Sequence, residues 1–146
     1  MKILALLAVM LAVATCYDLY LQKGDDLLSQ LQNGEDEIFV VTFYNPTPVK
    51  DDYTRQTRNN QVQDELQSEV LNQYDGKPLS IRYASIDSTD RNNEKLMYKA
   101  GVKHDFLNDG PVVLVTRKGY GHIVWGPTVV HQVETFVKET QDASGK

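Results

Sequence analysis

Side chains that could act as nucleophiles or metal ligands are few in this chain and lie far apart. The 146 residues include one cysteine, Cys16, and three histidines, His104, His122 and His131. Thiol–disulfide exchange needs an attacking thiolate and a second sulfur. Metal sites usually show close pairs of histidines, or histidine together with cysteine. The sequence therefore predicts no catalytic residue, no metal site and no cofactor, and it favours packing or surface roles for the histidines.

Serine and acidic side chains give no stronger signal. Ser80, Ser85 and Ser88 lack the strand–turn–helix context of a nucleophilic serine, which disfavours hydrolase chemistry. Several acids lie near predicted element ends without the alternating spacing of a calcium loop. These acids are Asp87, Asp90, Glu94, Asp105 and Asp109. Low-affinity calcium binding in a lumenal domain stays open as one alternative.

The charge balance excludes one class of partner. With 20 acidic and 15 basic residues, the formal net charge is −5. Nucleic-acid binding needs a basic face that neutralises phosphates, and the basic residues here are scattered among acids. We therefore expect no nucleic-acid partner and a solvated, mixed-charge surface.

The first 16 residues predict a cleaved signal peptide. Lys2 precedes an apolar run at residues 3–14, and Ala14 and Cys16 provide small residues before a cut at Tyr17. This run is shorter than the roughly 20 residues that a membrane span needs, so we expect no membrane span in the mature chain. The prediction is the secretory pathway, in the endoplasmic reticulum lumen or outside the cell. A retained mitochondrial inner-membrane anchor is the alternative, and lipid modification of Cys16 is a weaker one.

Hydrophobic periodicity predicts one α/β domain behind that leader, over residues 17–142, with a flexible polar tail at 143–146. Strands are predicted at 18–22, 37–44, 79–86, 112–116 and 122–125. Helices are predicted at 24–33, 51–74, 92–100 and 128–140, and the polar residues from 141 onwards are predicted to fray. The early strand–helix–strand units predict parallel pairing, and the last two strands predict an antiparallel hairpin at the edge.

Three segments in this order resemble the thioredoxin family. Residues 41–44 (VTFY) resemble the strand that leads into the family's Cys-Gly-Pro-Cys motif. Residues 84–87 (ASID) with 97–102 (MYKAGV) resemble the next strand and helix end, and 110–119 (GPVVLVTRKG) resemble the segment where a cis proline precedes a strand. The resemblance implies a thioredoxin-like three-layer sandwich, with a mixed central sheet flanked by helices.

The resemblance also implies that this chain is a redox-inactive member. The family's two cysteines fall on Pro48 and Asp51, and its buried acid falls on Thr42. We therefore expect no enzyme activity. The remaining use is binding of a protein or an extended peptide, as in the non-catalytic domains of protein disulfide isomerases, either as a chaperone-like module or as a subunit of an assembly.

By the same resemblance, a peptide groove would be formed by Tyr44, Thr47, Pro48, Gly110 and Pro111. The Gly110–Pro111 bond could be cis, and Gly110 would leave backbone groups open to strand-like pairing. A purely architectural role for Pro111 is one alternative. An oxidoreductase or isomerase-related protein that uses a retained or partner cysteine is another. The oligomeric state is not predicted.

Overall fold

A computed structural model of the chain describes residues 24–33 and 36–145. The predicted signal peptide, Cys16 and the predicted strand 18–22 lie outside the described residues. The strands are β1 (Ile38–Tyr44), β2 (Ile81–Asp87), β3 (Val112–Arg117) and β4 (Tyr120–Trp125). The helices are α1 (Gly24–Asn33), α2 (residues 54–74), α3 (Glu94–Ala100) and α4 (Val129–Ser144). Short 3-10 turns at Arg91–Asn93 and His104–Leu107 precede α3 and β3.

The sheet has the mixed pairing that the sequence predicts. Its order is β2-β1-β3-β4, with β1 parallel to β2 and antiparallel to β3, and with β3 antiparallel to β4. Lys118 and Gly119 close the β3–β4 hairpin with φ of 53° and 78°. Positive φ at both central residues is the type I′ geometry that matches the twist of a two-residue hairpin. The hairpin turn is therefore shorter than the sequence predicts.

Two apolar layers cover the sheet, one on each face. Ile38 and Val40 of β1 point into a core with α2 and α4, whereas Phe39, Val41 and Phe43 point into a core with α1 and α3. Because alternate residues of β1 are buried in two different cores, its sequence is a continuous apolar run. This confirms the predicted α/β sandwich of helices around a central mixed sheet.

Three local features differ from the sequence-based expectation. The long helix α2 is α-helical at Thr54–Glu65, π-helical at Leu66–Leu71 and α-helical again at Asn72–Tyr74. Helix α4 continues to Ser144 where fraying was predicted, because Gln141 is buried and bonded to the main chain of a neighbouring loop. The cis bond found in residues 24–33 and 36–145 precedes Pro78, and the Gly110–Pro111 bond is trans.

Within the described part of the chain, no helix is both long enough and apolar enough to cross a membrane.

Candidate functional site

A groove of about 420 Å³ opens where β4 ends, β3 begins and α2 starts. We call it the aromatic groove. It is lined by Thr54, Arg58, Asp105, Phe106, Asp109, Gly110, Pro111, Trp125, Gly126 and Pro127. These residues come from three segments that the sheet brings to one end of the molecule: the first turns of α2, the loop before β3, and the loop after β4.

Two stacked aromatic rings form the apolar part of the groove. The ring centroids of Phe106 and Trp125 are 4.3 Å apart and the ring planes differ by 8°. Trp125 is opposite Val112 in the β3–β4 ladder, and Phe106 belongs to the 3-10 turn just before β3. The hairpin register thus places the two rings together. The side chain of Trp125, the chain's one tryptophan, is 44% exposed, so the stack presents apolar surface to solvent.

Arg58 closes one side of the groove. Its Nη2 atom donates hydrogen bonds to the carbonyl oxygens of Gly126 at 3.3 Å and Pro127 at 3.0 Å. Its aliphatic stem lies against Gly110, where an added Cβ would be 2.7 Å from the Arg58 Cγ atom. Gly110 makes no hydrogen bond to any residue that the structure describes. A glycine is required for this close approach, and its backbone amide and carbonyl remain available to a ligand.

The groove also has an acidic rim. Asp105 and Asp109 flank the Phe106 turn, and both are exposed. Among the residues that the structure describes, Arg58 forms no ion pair with either carboxylate, and its Nη2 atom binds the carbonyls of Gly126 and Pro127 instead. The two carboxylates are therefore free to attract a basic ligand.

The structure brings together only part of the predicted site. Gly110 and Pro111 line the aromatic groove, whereas Tyr44 lines a different pocket. Thr47 and Pro48 are exposed on the loop between β1 and α2 and line neither. That loop is held by its own bonds, since the Thr47 amide donates to Asn45 Oδ1 at 2.9 Å and its carbonyl accepts from Arg55.

The remaining groove residues were missed or given another role by the sequence analysis. Trp125 packs against Phe106 and keeps nearly half of its surface exposed. Gly126-Pro127 is a turn signal that marks the loop after β4. Phe106 and Arg58 carry no signal of their own, because only the tertiary fold places them beside Gly110.

Comparison with known proteins gives matches at the level of structure alone. No protein-family model matches the sequence, and no curated protein matches it. Thioredoxin f2 of Chlamydomonas reinhardtii superposes with a TM-score of 0.55 at 13% identity, covering 86% of this chain and 95% of that one. The J-Trx1 fragment of ERdj5 superposes with a TM-score of 0.53 at 14% identity, covering 89% of this chain and 51% of that one. The fold is thioredoxin-like.

Within this thioredoxin-like fold, the two positions that the resemblance assigns to cysteines are exposed. Pro48 and Asp51 lie on the loop before α2, and Asp51 has a φ of 59°. Thr42, at the position of the family's buried acid, is 3% exposed on β1. Neither proline nor aspartate offers a sulfur, so thiol exchange at these positions would need a cysteine from elsewhere.

The histidines of the thioredoxin-like domain lie on separate elements. His122 is on β4 and its ring contacts Phe136 edge-on at 5.4 Å, whereas His131 is on α4. In the described ranges, no three His, Cys, Asp or Glu residues are grouped so that they could hold a metal ion.

Proposed function

We propose that this chain is a non-catalytic protein-binding domain of the secretory pathway that holds an extended peptide segment in the aromatic groove. The observation that carries the proposal is the Phe106–Trp125 stack, in which Trp125 is 44% exposed, beside the backbone of Gly110, which makes no hydrogen bond to the described residues. Aromatic pairs offer a large contact area and lose little side-chain conformational entropy on binding. Unpaired backbone groups can add hydrogen bonds to an extended chain.

The size of the groove supports a short segment as the ligand. Its volume of about 420 Å³ lies within the range of roughly 300–1,000 Å³ for small-ligand sites. The groove therefore suits a few side chains of an unfolded or extended segment better than the surface of a folded domain. This is the binding mode expected of a chaperone-like module.

The charges of the groove favour a basic peptide. Asp105 and Asp109 are exposed at the rim, and these two carboxylates outnumber the one cation of the groove lining, Arg58. We therefore expect a segment with an aromatic or aliphatic residue beside Lys or Arg, with binding that weakens as salt is added.

The single tryptophan provides a direct test. Trp125 lies in the groove, so its emission should shift to the blue in a saturable way when a tryptophan-free peptide containing Lys-Phe-Leu-Lys is added. The matched peptide containing Glu-Phe-Leu-Glu should bind more weakly. The double variant Asp105→Asn/Asp109→Asn should bind the basic peptide about twofold to thirtyfold more weakly, because exposed ion pairs contribute roughly 0.2–1 kcal/mol each.

Two further variants separate the groove from the rest of the surface. Phe106→Ala removes half of the stack and should weaken binding of the basic peptide about tenfold, as for a central aromatic contact. Tyr98→Ala removes an aromatic side chain that is 82% exposed on α3 and lies outside the groove, and should bind like the wild type. Absence of a saturable emission change, or equal loss in the two variants, would refute the proposed site.

The non-catalytic and secretory parts of the proposal rest on the sequence. The chain has one cysteine, Cys16, within the predicted signal peptide. The mass of the mature protein should correspond to a start at Tyr17, and this protein should not reduce insulin disulfides. A mature chain that retains Cys16 and reduces insulin would support the oxidoreductase alternative instead.

A further inference from the structure

The strand β4 lies at one end of the sheet and has an open side. It is last in the strand order β2-β1-β3-β4, so within residues 24–33 and 36–145 it has one partner strand, β3. We call the side of Tyr120–Trp125 that faces away from β3 the β4 edge. The β4 edge shares Trp125 with the aromatic groove. An inference about this edge goes beyond the proposed function and can be tested without a peptide.

The hairpin geometry determines which main-chain groups of β4 are open. Arg117 and Tyr120 flank the two-residue turn, and the closing pair of such a hairpin exchanges hydrogen bonds. Hydrogen-bonded and non-hydrogen-bonded pairs alternate along an antiparallel ladder. From Tyr120 on, every second residue of β4 therefore turns its N–H and C=O groups towards β3. The alternate residues turn theirs away from the sheet, and they are Gly121, Ile123 and Trp125.

The β4 edge lacks the usual protection against pairing with another strand. Edge strands of soluble proteins are commonly blocked by charged side chains, by proline or by a bulge. The sequence of β4 is YGHIVW, with no Asp, Glu, Lys, Arg or proline, and its ladder with β3 is continuous over all 6 residues. In contrast, β2 at the other end of the described sheet carries Arg82 and Asp87. An uncharged and regular edge strand is a template for strand pairing.

The sequence of the β4 edge is complementary to itself. A twofold axis at Ile123 pairs this residue with its own counterpart in an antiparallel second copy, and pairs Gly121 of each copy with Trp125 of the other. All these pairs join residues whose main-chain groups face outwards, so they would form about six hydrogen bonds, two for each pair. Gly121 has no side chain, so the ring of Trp125, which is 44% exposed, can lie over it.

The charges at the two ends of β4 favour a second copy over an unrelated strand. Lys118 at the hairpin tip has a side chain that is 53% exposed. The pocket of about 320 Å³ beside Gly121 has Lys99 and no carboxylate in its lining. The opposite end of β4 adjoins the acidic rim of the aromatic groove, with Asp105 and Asp109. An antiparallel second copy brings the basic end of each chain towards the acidic end of the other.

We propose that two copies of this chain pair antiparallel along the β4 edge, with the twofold axis at Ile123, and form one continuous sheet. Sedimentation equilibrium of the full chain without peptide should show an average mass that rises from one chain towards two. The concentrations should run from about 10 μM to about 1 mM, because so small an interface is expected to be weak. In NMR spectra over the same range, the amide signals of Gly121, Ile123 and Trp125 should shift in a saturable way.

Two results of these measurements would overturn the proposal. One is a monomer at every concentration, whether or not an added peptide strand binds the edge. The other is a dimer whose amide shifts are confined to residues outside β4. Both measurements use the wild type, so they do not depend on the stability of any variant.

A charge exchange at the axis tests the register. Ile123→Lys or Ile123→Glu places two like charges directly opposite each other, so each variant alone should dimerise at least about tenfold more weakly than the wild type. An equal mixture of the two variants should recover the dimer, because Lys then faces Glu. Ser85→Lys adds a charge at an exposed position of β2 and should dimerise like the wild type. Circular dichroism checks the fold of each variant. Wild-type dimerisation of Ile123→Lys, or a mixture as weak as its components, would contradict the proposed pairing.

Discussion

Gln141→Leu should lower the free energy of unfolding by about 3 kcal/mol, since each of three lost hydrogen bonds contributes roughly 1 kcal/mol. Gln141 is 3% exposed near the end of α4. Its Oε1 accepts from the Leu79 amide at 2.8 Å, and its Nε2 donates to the Tyr74 and Leu79 carbonyls, both at 2.7 Å. Leucine has nearly the same volume, so little of the loss comes from a cavity.

Urea unfolding followed by circular dichroism measures this change as the shift in midpoint multiplied by the slope. Gln132→Leu is the matched control, because Gln132 lies on the same helix and is exposed; its effect should stay within about 0.5 kcal/mol. Peptide binding followed by Trp125 emission should be unchanged in both variants. A loss below about 0.5 kcal/mol for Gln141→Leu would refute the reasoning and support a frayed end of α4.

Two other positions give sharp expectations. In Gly121→Ala the new Cβ would overlap the carbonyl oxygen of Val115 in the β3–β4 ladder, so this variant should lower the free energy of unfolding by about 3 kcal/mol. Gly145→Ala is the control, because a Cβ at Gly145 would make only ordinary contacts. Its thermal unfolding should be nearly that of the wild type. At Asp36, the hydrogen bond from Arg117 and the charges of Arg117 and Lys118 hold the pKa of the carboxyl below its usual 3.8. A lowered folded-state pKa stabilises the fold above the unfolded value and loses that effect as pH falls through the folded one. Urea midpoints of wild type and Asp36→Asn should therefore differ at pH 6 and converge below pH 3.8, and a constant difference would contradict this.

The fold could be predicted from the sequence because its elements carry local patterns. The continuous apolar run of β1 and the apolar residues of α2 at three- and four-residue steps can each be recognised within one segment of the sequence. Both patterns predict an element that the structure contains. The groove could be predicted only in part. Gly110 and Pro111 carry a turn signal, but Phe106 and Trp125 meet only through the pairing of β3 with β4.

Gln141 shows a second limit of prediction from sequence. A polar residue near a terminus is typical of a solvated end, yet this one is buried because its partners are main-chain groups of Tyr74 and Leu79. Every residue has a main-chain carbonyl, so the sequence does not show which carbonyl a side chain will bind. The C-terminal end of α4 therefore depends on a tertiary contact with the loop before β2, which the local sequence does not predict.

Thr42 is the third position at which this chain departs from the redox residues of the family that it resembles. The resemblance places the family's buried acid at this residue, which is 3% exposed on β1. Pro48 and Asp51 stand at the positions that the resemblance assigns to the two cysteines. The chain keeps the sheet and the helix that surround these three positions, but none of the three side chains can supply a sulfur or a buried carboxyl proton. These three residues are the ground on which we propose a binding role rather than a redox role, and reduction of insulin by the mature protein would contradict it.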